Sequence, residues 1–205
     1  MTDPNGSTQP LRVLAVVGSL SRVSVVRVAL ELMAESLSKA GCEVDFADIS
    51  AESLPLFNPD TSHGLPSFAA LKERVDRADV YLLGTPDYHG SMSGTTKNFL
   101  DHFWHEFGGK LFASVISGYD KGLTVADQIR TVARQCYAWS MPYSISFSDR
   151  EDVSENGIVS ASLRRRLDMY ARDIRVYGRL LMEQRRRDLA GTEPGFMAKW
   201  READG

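Results

Sequence analysis

Short apolar, β-branched runs alternate along this chain with stretches whose apolar positions recur every three or four residues. The run from Arg12 to Val17 predicts a buried strand. From Ser24 to about Ala40, the positions Val26, Ala29, Leu30, Met33 and Leu37 make one face of a helix. Gly41 ends it, as a glycine at C′ should. Cys42 to Ile49 alternates through Cys42, Val44 and Phe46, which predicts a second, shorter strand near an edge. Residues 50–66, rich in Pro, Ser, Asp and Asn, read as a long connection anchored by Leu54, Leu56 and Phe57.

The alternation continues. A helix is predicted from about Pro66 to Arg77, a fully buried central strand from Ala78 to Gly84, and a helix from near Gly94 to about Phe107. A fourth strand from Leu111 to Ser117, a helix near Thr124 to Ala138 and a fifth strand at about Tyr143 to Phe147 follow. The last long helix runs from Ile158 or Ser160 to about Leu189 on a stripe of Leu163, Leu167, Tyr170, Ile174, Tyr177 and Leu181. Strands joined by helical crossovers imply an α/β, mostly parallel, three-layer sandwich. Such a doubly wound sheet binds its ligand outside the strand C-termini, in the loops after Val17, Gly84 and Ser117.

Composition narrows the classes. The 205 residues, 43% hydrophobic and 25% charged, fit one domain over residues 11–190, with a disordered tail at 1–10 and a C-terminal tail at 191–205. The net charge of −3 gives no electrostatic case for nucleic acid or for an anionic membrane. Residues 1–10 have no apolar core, and the two cysteines, Cys42 and Cys136, sit far apart in apolar surroundings. Both features point to buried thiols and a cytoplasmic location. The arginine-rich runs at Arg164 to Arg166 and Arg185 to Arg187 read as solvated helix faces, and the H-x-x-H-E order at His102, His105 and Glu106 lacks zinc-helix spacing. No metal site is expected.

The chemistry concentrates in three loops. After Val17 come Gly18, Ser19, Leu20, Ser21, Arg22, Val23 and Ser24, a polar turn feeding a helix N-terminus. Free N–H groups, the helix dipole, the hydroxyls of Ser19, Ser21 and Ser24 and the Arg22 guanidinium can converge on a phosphate there; the alternative is a plain βα turn capped by Ser24. The loop after the third strand carries Pro86, Asp87, Tyr88, His89, Gly90 and Ser91, and the loop after the fourth carries Ser117, Gly118 and Tyr119. Both offer backbone groups and an aromatic to a flat heterocycle. Together they describe a mononucleotide laid across one sheet edge. Neither G-x-G-x-x-G nor the phosphate-loop pattern ending in Lys-Ser/Thr follows the first strand.

Gly18-Ser19-Leu20-Ser21-Arg22-Val23-Ser24 and Pro86-Asp87-Tyr88-His89-Gly90-Ser91 through Lys97-Asn98 and Asp101 resemble the two motifs of the NAD(P)H-dependent FMN reductase family, flavodoxin-like flavoproteins. The resemblance implies a five-stranded parallel sheet in the order 2-1-3-4-5, FMN as cofactor and NADPH or NADH as reductant. It assigns Ser19, Ser24 and Arg22 or Ser21 to the FMN phosphate, Pro86 to Ser91 to the isoalloxazine, and Gly118 to Tyr119 to its other side. It implies ping-pong reduction of a quinone, flavin, azo compound or similar small acceptor by a homodimer or homotetramer. Departures occur: Ser21 stands where arginine is usual, Val26 replaces an asparagine, and His89 replaces the asparagine beside the flavin. His89 is a candidate proton or hydrogen-bond donor, with a simple polar substitution as the other reading. Lys97 and Asp101, four apart, predict an ion pair. An electron-transfer flavodoxin and a non-redox flavin-binding or sensor domain are the competing functions.

Overall fold

Val13 to Val17 form an inner strand of a parallel sheet in the computed structural model, which describes residues 9–52, 54–64, 66–119, 122–154 and 157–203. Most of the expected N-terminal tail therefore lies outside the described residues. Strand β1 (Arg12–Val17) is followed by α1 (Val25–Lys39), β2 (Glu43–Asp48), α2 (Pro66–Arg77), β3 (Val80–Tyr88), β4 (Ser91–Met92) and α3 (Gly94–Asp101). Then come β5 (Leu111–Gly118), α4 (Leu123–Gln135), β6 (Trp139–Ser140), β7 (Ile145–Ser148), β8 (Val153–Ser154), β9 (Gly157–Ile158), α5 (Ala161–Ala190) and α6 (Ala198–Ala203).

The sheet runs β2-β1-β3-β5, and β6 and β7 both pair with β5 in parallel. This is the 2-1-3-4-5 order of a flavodoxin-like sheet with its fifth strand broken in two. The fifth strand expected at Tyr143 to Phe147 is thus β7, preceded by the short β6. Pro142 falls in the gap, where its missing N–H cannot serve a ladder. Alternation along β1 sorts the core into two layers. Val13, Ala15 and Val17 face α1 and α5, whereas Leu14 and Val16 face α2, α3 and α4.

Local signals set the helix ends. Ser24 caps α1, its hydroxyl accepting from Arg27 N–H at 3.2 Å. At the other end Gly41 has φ +84°. There Gly41 N–H donates to Ser38 O and Cys42 N–H to Leu37 O, a Schellman closure. Helix α3 stops at Asp101 rather than reaching Phe107. Beyond it, Glu106 accepts from Trp104 N–H at 3.1 Å and holds a separate 3₁₀ turn over His105–Phe107. The predicted pair forms: Lys97 Nζ lies 2.5 Å from Asp101. Cys42 and Cys136 are free and buried.

The C-terminal segment docks on its own chain. Trp200, only 1% exposed, donates its indole N–H to His105 O at 2.7 Å and stacks on the His105 ring. A Cβ at Gly108 would lie 2.2 Å from that indole, so the residue there must be glycine. The arginine runs are anchored as well as solvated. Arg164 donates to Ile158 O, Arg166 to Ser146 O and Arg185 to Gly108 O. No described helix is long and apolar enough to cross a membrane.

Candidate functional site

Three strands, β1, β3 and β5, end side by side, and the loops leaving them surround a cavity of about 330 Å³. That volume lies in the ~300–1,000 Å³ range of small-ligand clefts. Ser19, Ser21 and Ser24 line it from the first loop, Pro86, Asp87 and Tyr88 from the second, and Ser117, Gly118 and Tyr119 from the third. Arg22, His89, Gly90 and Ser91 do not line it.

The first loop is built to leave donors free. Ser19 and Ser24 are buried, and Ser19 Oγ accepts from Ser21 N–H at 3.3 Å, which curls the turn around that hydroxyl. The Ser24 side chain satisfies only Arg27 N–H. Among the described residues, the N–H groups of Arg22, Val23, Ser24, Val25 and Val26 have no protein acceptor. A helix N-terminus with unsatisfied donors and flanking hydroxyls is an anion cradle, and this donor set fits a phosphate monoester. The arginines of the first loop and α1 add no charge inside it. Arg22 is exposed, and Arg27 is paired with Asp48 at 2.5 Å. Burial opposes ionisation of Asp48, but hydrogen bonds from Ser50 and Arg27 prevail and hold its carboxyl below the usual range.

Buried hydroxyls that sequence reasoning missed fix this loop to the second. Gly18 N–H donates to Gly84 O at 2.8 Å. Ser93 Oγ donates to Gly18 O at 2.5 Å, and Thr85 Oγ1 accepts from Ser93 N–H at 3.0 Å. Thr96 N–H donates back to Ser93 Oγ at 3.1 Å, so Ser93 both caps α3 and ties it to the phosphate-type loop. A Cβ on Gly18 would fall 1.9 Å from Thr96 Oγ1. The Ser-x-x-Thr spacing before an apolar helix was a readable N-cap signal; its reach across the fold to Gly18 was not.

The second loop is a hairpin. Strand β3 runs on to Tyr88 and turns back into β4, pairing Asp87 with Met92 and Tyr88 with Ser91. Its two turn residues, His89 and Gly90, have φ of 59° and 76°. A two-residue turn with both φ positive favours Asn-Gly, and histidine is among the few other residues that adopt this conformation readily. Asp87 accepts from Gly90 N–H at 2.8 Å, closing the turn. Gln128 of α4 accepts from Ser91 Oγ and Met92 N–H. The hairpin thus presents Asp87 and Tyr88 to the cavity while His89 is exposed at its tip. Asn98, two turns behind, donates to Pro55 O and accepts from Phe57 N–H, pinning the long connection after β2.

The third loop brings Tyr119, 80% exposed, to the mouth. A Cβ on Gly118 would meet that of Asp87 at 2.9 Å, so glycine is what lets the second and third loops touch. The lining also includes Asp149 and Arg150 from the loop after β7, which sequence reasoning did not single out. Arg150 lies over the Tyr119 ring, 5.3 Å from its centroid.

Known proteins resemble this chain in sequence and in fold. The family profile described as NADPH-dependent FMN reductase matches residues 11–152. A probable NADPH:quinone oxidoreductase 2 of Oryza sativa subsp. japonica is 41% identical over 105 residues, 47% of this chain and 50% of the rice protein. The chain thus aligns with about half the length of that relative. An FMN-dependent NADPH-azoreductase of Staphylococcus aureus is 28% identical over 153 residues, 70% of this chain and 79% of the relative. The solved flavoenzyme NAD(P)H:(acceptor) oxidoreductase of Paracoccus denitrificans superposes with a TM-score of 0.69 at 20% identity, covering 82% of this chain and 97% of that one. Its likeness extends to the fold. The chain belongs to the NADPH-dependent FMN reductase family.

Proposed function

We propose that this protein is an FMN-dependent NAD(P)H oxidoreductase that passes electrons to a quinone, azo compound, flavin or similar small acceptor with ping-pong kinetics. One observation carries the reading: a single cavity of about 330 Å³ has unsatisfied N–H donors at one end and two ring-sized loops at the other. FMN, when bound, supplies the two-electron chemistry. The chain's residues hold and orient it. Ser19, Ser21 and the N–H groups from Arg22 to Val26 seat the phosphate, while Pro86 to Tyr88 and Gly118 to Tyr119 flank the ring. Asp87 and Gln128 accept from Gly90 N–H and Met92 N–H, which fixes the shape of the hairpin that carries Asp87 and Tyr88 to the ring. His89 shapes the hairpin through its positive φ, and a proton-donor role for its ring is the accompanying proposal.

The names of the rice and staphylococcal relatives support quinones and azo compounds as acceptors. The exposed apolar residues Leu20, Val23 and Tyr119 near the mouth support association as a homodimer or homotetramer, and the two free, buried cysteines support a cytoplasmic location. The test is spectroscopic. The purified protein mixed with FMN acquires a bound yellow chromophore, and NADPH bleaches it rapidly under anaerobic conditions. A stable colour would favour an electron-transfer protein, and failure to bind FMN would favour a non-redox binding domain.

A further inference from the structure

The Gly18–Ser19 peptide carries the chain from β1 into the phosphate-type loop, and its carbonyl points into the protein. Ser93 Oγ donates to Gly18 O at 2.5 Å, and Thr96 Oγ1 stands 3.4 Å from the same oxygen. Both hydroxyls are buried, and each has a single proton, which fixes the direction of every bond. Ser93 gives its proton to Gly18 O, so the 2.9 Å contact between the two hydroxyls is Thr96 donating to Ser93. Ser93 Oγ also accepts from Thr96 N–H at 3.1 Å, while Ser93 N–H donates to Thr85 Oγ1 at 3.0 Å. Thr85 spends its own proton on Pro86 O at 3.1 Å. Ser93 is thus held from two sides, by the first turn of α3 and by β3, and its proton has one destination.

A trans peptide is planar, with its C=O and the following N–H on opposite sides. Turning Gly18 O into the buried hydroxyl pair therefore turns Ser19 N–H the other way, to the side on which Ser19 lines the inner cavity. Among the described residues this N–H has no protein acceptor. Glycine resists rotation of the peptide that follows it only weakly, so the orientation has to be imposed by a partner. We infer that Ser93 is a positioning residue for the flavin phosphate: supported by Thr96, it locks the Gly18–Ser19 peptide so that Ser19 N–H joins the donors at the start of α1. The inference rests on the inner cavity being the flavin site and adds a selectivity to it, because the lock acts on the phosphate and not on the ring. Both residues fall between Ser91 and Lys97, at positions to which the motif resemblance gives no role.

FMN and riboflavin, titrated into the full chain and read by fluorescence quenching, separate the two effects. Ser93→Ala combined with Thr96→Val removes both hydroxyls beside Gly18 O. FMN should then bind at least roughly tenfold more weakly, while riboflavin affinity changes by less than about twofold. Ser93→Ala alone should fall between, because Thr96 can turn its proton to Gly18 O. A merely structural role would weaken both flavins alike. That result, or unchanged FMN affinity in the combined variant, would overturn the inference, with circular dichroism checking that each variant folds. A second measurement needs no substitution. In the wild-type protein saturated with FMN, the Ser19 amide proton should show a proton–phosphorus correlation through its hydrogen bond to the phosphate. Its absence, while amides at the start of α1 show one, would overturn the inference. A wild-type protein that binds neither flavin would overturn the flavin reading, and this inference with it.

Discussion

The two ends of β5 are built on opposite rules. At its C-terminal end, beyond Gly118, backbone donors from Arg22 to Val26 stay free, Tyr119 stands exposed, and a cavity opens. At its N-terminal end, roughly 23 Å away along the strand, the chain uses up its own polar groups. Lys110, almost wholly buried, donates to Val75 O, Asp76 O and the Tyr81 hydroxyl, and so caps the last carbonyls of α2. Trp200 seals the same end against His105 and Gly108. The difference locates function. One end holds the sheet together; the other leaves hydrogen-bonding capacity unspent for a ligand.

Breaking the closed end should cost stability without touching the ligand. Trp200→Ala removes a fully buried indole and should destabilise by about 3–5 kcal/mol, read by denaturant unfolding, with FMN affinity unchanged. A parallel loss of FMN affinity would show the two ends to be coupled. Breaking the open end should do the reverse. Gly18→Ala drives a methyl against Thr96 Oγ1 and Gly84 O, so destabilisation of about 1–3 kcal/mol should accompany a larger proportional loss of FMN affinity.

The closed end also has a pH signature. Burial first, and then the nearby Arg185 charge, push the Lys110 ammonium down to about 7. An unfolded lysine keeps its proton to about 10.4. Between about pH 7 and 9 the unfolded chain therefore binds more protons, and this group makes stability rise with pH. Below that window the benefit disappears, because the buried ammonium is charged in the fold. Lys110→Met should flatten the slope in urea midpoints measured across those values. The smallest effect is expected at the hairpin tip. His89→Asn keeps a residue suited to positive φ and should leave folding and FMN affinity nearly unchanged. Altered acceptor kinetics across pH in that variant would show that the imidazole itself donates a proton.

What was legible in the sequence was local. The run before Gly18, the cap at Ser24, the stop at Gly41 and the buried run through Leu83 each have their cause within a few residues, and each appears as read. The divergences depend on distant partners. Strand β3 runs past Gly84 because Asp87 and Tyr88 find Met92 and Ser91 across a turn, and the fifth strand splits at Pro142 while both pieces reach β5. The site shows the same division. Its serines and glycines could be read from the strand-to-helix turn, but Arg150 reaches the cavity only because β7 lies beside β5. Nothing within the arginine's own neighbourhood signals that placement. Arg22, next to the serines in sequence, is exposed and does not line the cavity.

The claim on which the functional account rests is that the loop from Ser19 to Val26 seats a phosphate. Parallel calorimetric titrations of the protein with FMN and with riboflavin, which has the same ring but no phosphate, test it most directly. FMN should bind at least roughly a hundredfold more tightly, the contribution expected of several charge-assisted hydrogen bonds at a helix N-terminus. Equal affinities for the two flavins would contradict it.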